Sequence, residues 1–315
     1  MKLFFKKILL FSIPFVVYYA TIAIIDPYNY FGSNKIVSDA VKEKISRPLN
    51  YPLWEILKYR RQPNKNILIG DSRIGAVDVR RVYERTGEQY FKYSIGGGNA
   101  NEIISTFWYV ASITKLENVY IGINLELYNK ANIRDRVSGV VSIMNNPFLY
   151  LVNSNVTESS YYIVSSYLRK ETISVGVPDM SKEEFWDYQL TVTAARYYAN
   201  YIYPDNYLKE FTRIAEYCRD NNTRLVFVVF PTHTDLQQLM LKYNLVSANE
   251  RFISDLRKIG TVYDLNFGNR VTSDKTLFGD PFHMEPELFN EIYTDLIWSK
   301  NTQPSDSLLR VYHDN

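Results

Sequence analysis

The sequence predicts an α/β protein: a three-layer sandwich around a central parallel sheet, behind one apolar N-terminal helix. Two patterns and the composition carry this reading. Short runs rich in β-branched and aromatic residues recur as KNILI (65–69), ENVYIGINL (117–125), TRLVFVVF (223–230) and GTVYDLN (260–266). Helical patterns lie between them, NEIISTFWYVASITKL, DNYLKEFTRIAEYCRDN and SANERFISDLRKI, and such alternation gives parallel βαβ units covered on both faces. Over 315 residues, 46% hydrophobic and 22% charged content with 13 Gly and 12 Pro excludes a disordered or collagen-like chain, and a single cysteine excludes an intramolecular disulfide.

The N-terminal segment comes first. Lys2, Lys6 and Lys7 precede an uncharged run from Ile8 to Ile25, closed by Asp26. Eighteen residues rising ~1.5 Å each cover about 27 Å, close to the ~30 Å of a hydrocarbon core. Pro14 is tolerable inside a membrane helix. Lysines before the run and none soon after place the N-terminus in the cytoplasm and the body outside, in a single-pass protein of the cell membrane. A cleaved signal peptide is the competing reading; the run is longer than a usual apolar signal region, and no small-x-small site precedes Asp26. With the three lysines set aside, 33 basic residues face 34 acidic ones. A nearly neutral body lacks the basic face a nucleic-acid binder needs.

Residues 26–62 show no sustained period and read as a tether, with one helix around PLWEILKYRR. The domain proper is expected over 63–300. An aromatic-rich stretch at about 130–205 (YYIVSSYLRK, FWDYQL, ARYYANYIY) is too long for one loop and reads as a helical insertion overhanging a sheet edge. Residues 301–315 read as a flexible tail. Cys218 shares helical spacing with Phe211, Ile214 and Ala215, which makes it a small core residue.

Ligands of open α/β sheets bind where strands end, so the residues after each strand carry the functional reading. After the first strand come Gly70-Asp71-Ser72-Arg73, which can present Ser72 at a helix start with its own N–H free to face an oxyanion. Gly96-Gly97-Gly98-Asn99 lets backbone N–H groups approach a substrate, and lacks the third glycine of a dinucleotide loop. Gly122-Ile123-Asn124 brings a side-chain amide to the same edge, unless Asn124 serves core backbone instead. Asp280-Pro281-Phe282-His283 places a carboxylate three residues before an imidazole, so Asp280 can accept from Nδ1–H and leave Nε2 as a base. The nucleophile elbow G-x-S-x-G fails, because Ile74 stands where its last glycine belongs. A metal site is not expected, since only two histidines could serve as ligands and Asp280 accounts for His283.

The four blocks in this order, Gly-Asp-Ser, a glycine, Gly-x-Asn and Asp-x-x-His, resemble the SGNH (GDSL-like) hydrolase superfamily over about residues 65–298. The branch resembled is the membrane-anchored one of bacterial envelopes, similar to the alginate O-acetylation proteins and to DltD of teichoic-acid D-alanylation; VYIGINLELYN and VFPTH resemble strand signatures of uncharacterised relatives. The resemblance implies a flavodoxin-like sheet, a Ser72–His283–Asp280 triad and an oxyanion hole from Ser72, Gly97 and Asn124. It implies extracytoplasmic O-acyl transfer, of acetyl above all, to an envelope polysaccharide without a cofactor, with an integral-membrane acyl exporter as partner. An esterase and a non-catalytic glycan-binding or assembly protein are the alternatives. Two departures stand out: Leu125 follows Asn124 where hydrolases often carry Asp, and Arg73 replaces an apolar residue. Arg73 either holds an anionic substrate group or pairs with a carboxylate; His233 is either a site residue or a structural cap.

Overall fold

The computed structural model describes residues 1–32, 36–169, 180–298 and 307–313. Helices α1 (Lys2–Ile25), α2 (Asp39–Leu49) and α3 (Tyr51–Arg61) lead into strand β1 (Asn66–Asp71), α4 (Val79–Thr86), β2 (Phe91–Ile95), α5 (Ala100–Ile113) and β3 (Asn118–Gly122). Then come α6 (Arg136–Met144), α7 (Pro147–Leu151), α8 (Ser154–Arg169), α9 (Lys182–Tyr188), α10 (Ala194–Tyr198) and α11 (Asp205–Asp220). The chain continues through β4 (Arg224–Val229), α12 (Thr234–Lys242), α13 (Val246–Arg257) and β5 (Thr261–Asp264). Strands β6 (Phe278–Asp280) and β7 (His283–Met284), helix α14 (Pro286–Trp298) and strand β8 (Arg310–Tyr312) complete it.

These elements form two units, Met1–Gln62 with Arg136–Pro178, and Pro63–Asp135 with Asp179–Asn315. The second holds a six-stranded sheet in the order β2-β1-β3-β4-β5-β8. Its first five strands are parallel and β8 runs antiparallel to β5. An α/β protein with a mostly parallel central sheet flanked by helices is therefore what the sequence predicted. The order 2-1-3-4-5 is that of a doubly wound sheet, whose order reverses beside β1. Every residue of β1 is buried, as its unbroken apolar run requires of a strand covered on both faces. Two glycines keep the sheet close at this point. A Cβ on Gly70 would lie 3.0 Å from Gly122 O, and one on Gly122 would lie 2.7 Å from the Phe230 ring.

In the first unit α1 has a stretch, Phe4–Ile25, of 22 residues with a mean hydropathy of 2.3 and only Lys6 and Lys7 charged, long and apolar enough to cross a membrane. The expected tether is instead folded. Ser38 caps α2 and Asn50 caps α3, each by accepting from a backbone N–H of the first turn. Asp26, in the left-handed region, accepts from the N–H groups of Tyr30, Phe31 and Gly32 and from the Tyr150 hydroxyl at 2.8 Å. The expected insertion is divided: α6, α7 and α8 belong to the first unit, α9 and α10 to the second. The tail expectation also changes, because Arg310–Tyr312 pair with β5; residues 301–306 of it lie outside the described residues.

Candidate active site

Asp71 ends β1, and the next five residues, Ser72–Ala76, form a 3-10 turn. The Asp71 carboxylate caps that turn by accepting from Arg73 N–H at 3.1 Å. Ser72 thus stands at the first position of a helical turn beside the point where the strand order reverses, and such first N–H groups have no partner within the turn. Far along the chain, β6 and β7 form a small antiparallel ladder in which Asp280 pairs with His283. Asp280 Oδ1 accepts from the N–H groups of Phe282 (2.8 Å) and His283 (3.2 Å), the hydrogen bonds of an Asx turn. The same carboxylate meets His283 Nδ1 at 2.8 Å through Oδ2, and His283 Nε2 lies 2.7 Å from Ser72 Oγ. Ser72, His283 and Asp280 are one hydrogen-bonded relay, drawn from residues that the fold brings together across most of the second unit. Asp280 is buried while the His283 ring is about one-third exposed, so the base is oriented from behind and reachable from the front.

Two cavities open on this relay, and Ser72, Arg73 and His283 line both. One, of about 210 Å³, is walled by Ala76, Phe230, Pro231, Met284 and Phe289, with Glu285 at its side. The other, of about 190 Å³, is walled by Gly97, Glu126, Gln189, Thr193, Tyr197 and Phe282. Gln189 and Thr193 begin and end a π-helical turn between α9 and α10, and such turns recur at functional sites. Gln189 Oε1 is buried with no hydrogen-bond partner among the described residues. Burial, with help from the nearby Glu126 and Asp71 carboxylates, raises the pKa of Tyr197 and keeps its phenol protonated. Gln189, Thr193 and Tyr197 belong to no motif. The only advance sign was that Gln189, Thr193 and Tyr197 lie in the aromatic-rich stretch.

Gly97 lies at the relay with φ +58°, a conformation that favours glycine, and Arg134 Nη2 donates to its carbonyl at 2.6 Å. Asn124, by contrast, is fully buried, and its amide is engaged elsewhere. Its Nδ2 donates to Phe230 O at 2.9 Å, and its Oδ1 accepts from Phe230 N–H at 3.0 Å. Asn124 therefore clamps the ends of β3 and β4, where a backbone pair leaving the sheet needs partners, and, fully buried, it lines neither of the two cavities that open on the relay.

Arg73 pairs with carboxylates, the second of its two readings. Its guanidinium forks onto Asp71, with Nε and Nη2 at 3.1 and 2.8 Å, and its Nη1 meets Glu126. Burial disfavours its charge, and the two carboxylates outweigh that effect and hold its pKa above the ordinary arginine value. With two carboxylates on one guanidinium, the cluster has no cation left over.

His233 is the cap of the two readings. Its Nδ1 accepts from Asp235 N–H at 3.1 Å at the start of α12, and its ring packs edge-on against Trp186 and Phe278. Its backbone N–H donates to Pro281 O at 2.9 Å, which ties this loop to the turn that carries Asp280 and His283. Cys218 is buried, with its thiol pushed up to about 12 by burial. No family model and no curated protein matches the chain.

Proposed function

We propose that the second unit is an SGNH-type serine acyltransferase, which moves an acyl group from an ester or similar donor to a saccharide hydroxyl. One observation carries the reading: Ser72 Oγ, His283 and the Asp280 carboxylate are joined by hydrogen bonds of 2.7 and 2.8 Å beside two cavities. His283 Nε2 takes the Ser72 proton as Oγ attacks the donor carbonyl, then gives it to the departing donor oxygen, which leaves acyl-Ser72. Asp280 holds the imidazole in the Nδ1–H tautomer and stabilises the imidazolium. The acceptor hydroxyl next loses its proton to His283 and attacks the acyl carbon, and the returning proton restores Ser72. With Asn124 occupied, the N–H groups of Ser72 and Gly97 are the donors for the oxyanion.

Two cavities suit two substrates. The apolar one beside Phe230 and Phe289 takes the acyl chain, and the one with Gln189, Thr193 and the protonated Tyr197 takes the acceptor. Aromatic and amide groups of this kind suit a neutral sugar better than an anion, because Arg73 is already paired. Helix α1 anchors the body outside the cell membrane, where a membrane-borne donor delivered by an integral-membrane acyl exporter gains local concentration. Protease added to the outer face of intact cells, with any outer layer permeabilised, is expected to degrade the body.

Hydrolysis to free acid is the competing outcome. Full-length protein given a nitrophenyl acyl ester, with and without envelope oligosaccharides, is expected to yield acylated sugar by mass spectrometry. Free acid alone, at a rate no glycan alters, would assign an esterase.

A further inference from the structure

We infer that the bend between α7 and α8 is a second membrane contact, an apolar and aromatic platform seated in the bilayer interface beside α1. The inference rests on α1 being a membrane span, and all its residues lie in the first unit.

The argument begins with depth. Tyr19 packs its ring against Phe148 of α7 at 6.1 Å, and the Tyr18 hydroxyl is 2.5 Å from Thr157 Oγ1 of α8. Both tyrosines stand six or seven residues before the end of α1, which at ~1.5 Å per residue is about 10 Å below its exit. Farther along, Ile25 shares a small core with Ile163 of α8, together with Val37 and Ile45. From Thr157 to Ile163 the helix α8 therefore runs alongside the last two turns of α1. The uncharged run Ile8–Ile25, 18 residues, is about 27 Å long, just short of the ~30 Å of hydrocarbon it must cross. Lifting its last two turns clear of the membrane would leave only about 16 Å of apolar helix. Whatever touches Tyr18 and Tyr19 is thus at membrane depth.

The side chains from that depth up to the headgroup level fit this position. On α8 the buried face carries Val156, Ser159, Ser160, Ile163 and Ser166. The exposed face carries Tyr161 (62% exposed), Val164, Tyr167 and Leu168, with Glu158 one turn before Tyr161 and Arg169 at the helix end. Ser159, Ser160 and Ser166 pack inward beside Val156 and Ile163, while four large apolar or aromatic side chains point outward, a face that suits lipid. Next to them α7 and its C-terminal cap residue expose Phe148, Leu149 and Val152. Tyrosines with apolar neighbours favour the headgroup level, where ring and hydroxyl are both accommodated. The occupant is lipid, because the patch continues the surface of α1 itself.

The test uses the full chain in phosphatidylcholine nanodiscs, with single cysteines at Val16, Leu149 and Tyr161 carrying an environment-sensitive dye. Unsubstituted protein serves as control for the buried Cys218. Quenching by spin-labelled lipid is expected at all three positions, with none of them reached by aqueous iodide. Lipid quenching at 16, with 149 and 161 reached only by aqueous iodide, would overturn the inference and leave the anchor standing. Shielding of 149 and 161 from both quenchers would assign the face to a protein partner and overturn it too. No lipid quenching at 16 would remove the anchor, and the inference with it.

Discussion

Asn124 and Phe230 exchange two hydrogen bonds, amide to backbone, where β3 and β4 leave the sheet. Phe230 also stacks on Phe289 and walls the apolar cavity, so the clamp sets the position of a cavity wall. Asn124→Ala would strand a buried N–H and a buried C=O, at a cost of about 2–4 kcal/mol for the pair. The expected result in denaturant titrations is a clearly lowered midpoint, with Ser72 reactivity of the folded fraction within a few-fold of wild type. Wild-type stability with reactivity down by on the order of 10²–10³ would instead make Asn124 an oxyanion donor.

The contrast between Ser72 and Asn124 marks how far the sequence reaches. Ser72, Asp280 and His283 were legible because each needs a particular atom at a particular place, and strand-end position plus the three-residue spacing supply both. Asn124 occupies its expected strand end, yet the direction of its amide depends on Phe230, which no local pattern specifies. The same holds for Arg73, whose partner Glu126 lies 53 positions away. The sheet was legible from its apolar runs. The folding of residues 26–62 was not, because Asp26 and Tyr150, 124 positions apart, must meet before that stretch has a core. Gln189 and Thr193 were invisible as site residues, since a π-helical turn leaves no mark on hydrophobic spacing.

Arg73 is a structural ion, and its removal should act on folding. Arg73→Ala leaves Asp71 and Glu126 buried without their cation, a change that typically costs about 3–5 kcal/mol. Arg73→Lys cannot reproduce the fork on Asp71 and is expected to fall between the two. Equilibrium unfolding checks this order. Full stability in Arg73→Ala, with weaker use of anionic acceptors, would restore the substrate-binding role.

Burial lowers the pKa of His233 against the opposing pull of Asp235, so the folded protein favours the neutral ring. The unfolded chain takes up its proton near pH ~6.5, before the folded protein does. Stability from this residue is therefore full above about pH 6.5 and declines as pH falls toward the lower folded value. His233→Asn keeps a capping oxygen and should lessen the loss between neutral and mildly acid pH. Parallel stability curves for the two proteins across that range would refute the assignment.

Asp280 has two duties, the Asx turn and the imidazole tautomer, and one substitution separates them. Asn at position 280 retains an oxygen for the N–H groups of Phe282 and His283 but favours the wrong ring tautomer. Asp280→Asn is expected to keep wild-type stability while acylation of Ser72 falls by as much as on the order of 10⁴. An equal loss of stability and rate would mean that the turn, and not the tautomer, is what Asp280 supplies.

The most direct test of the relay asks whether Ser72 is a nucleophile. Full-length protein in detergent is treated with a fluorophosphonate, and the modified residue is located by peptide mass spectrometry. The geometry at Ser72 Oγ, 2.7 Å from His283 Nε2, predicts a single adduct on Ser72 that is lost in Ser72→Ala and in His283→Ala. Folded wild-type protein that forms no adduct, or forms it on another serine, would contradict the account.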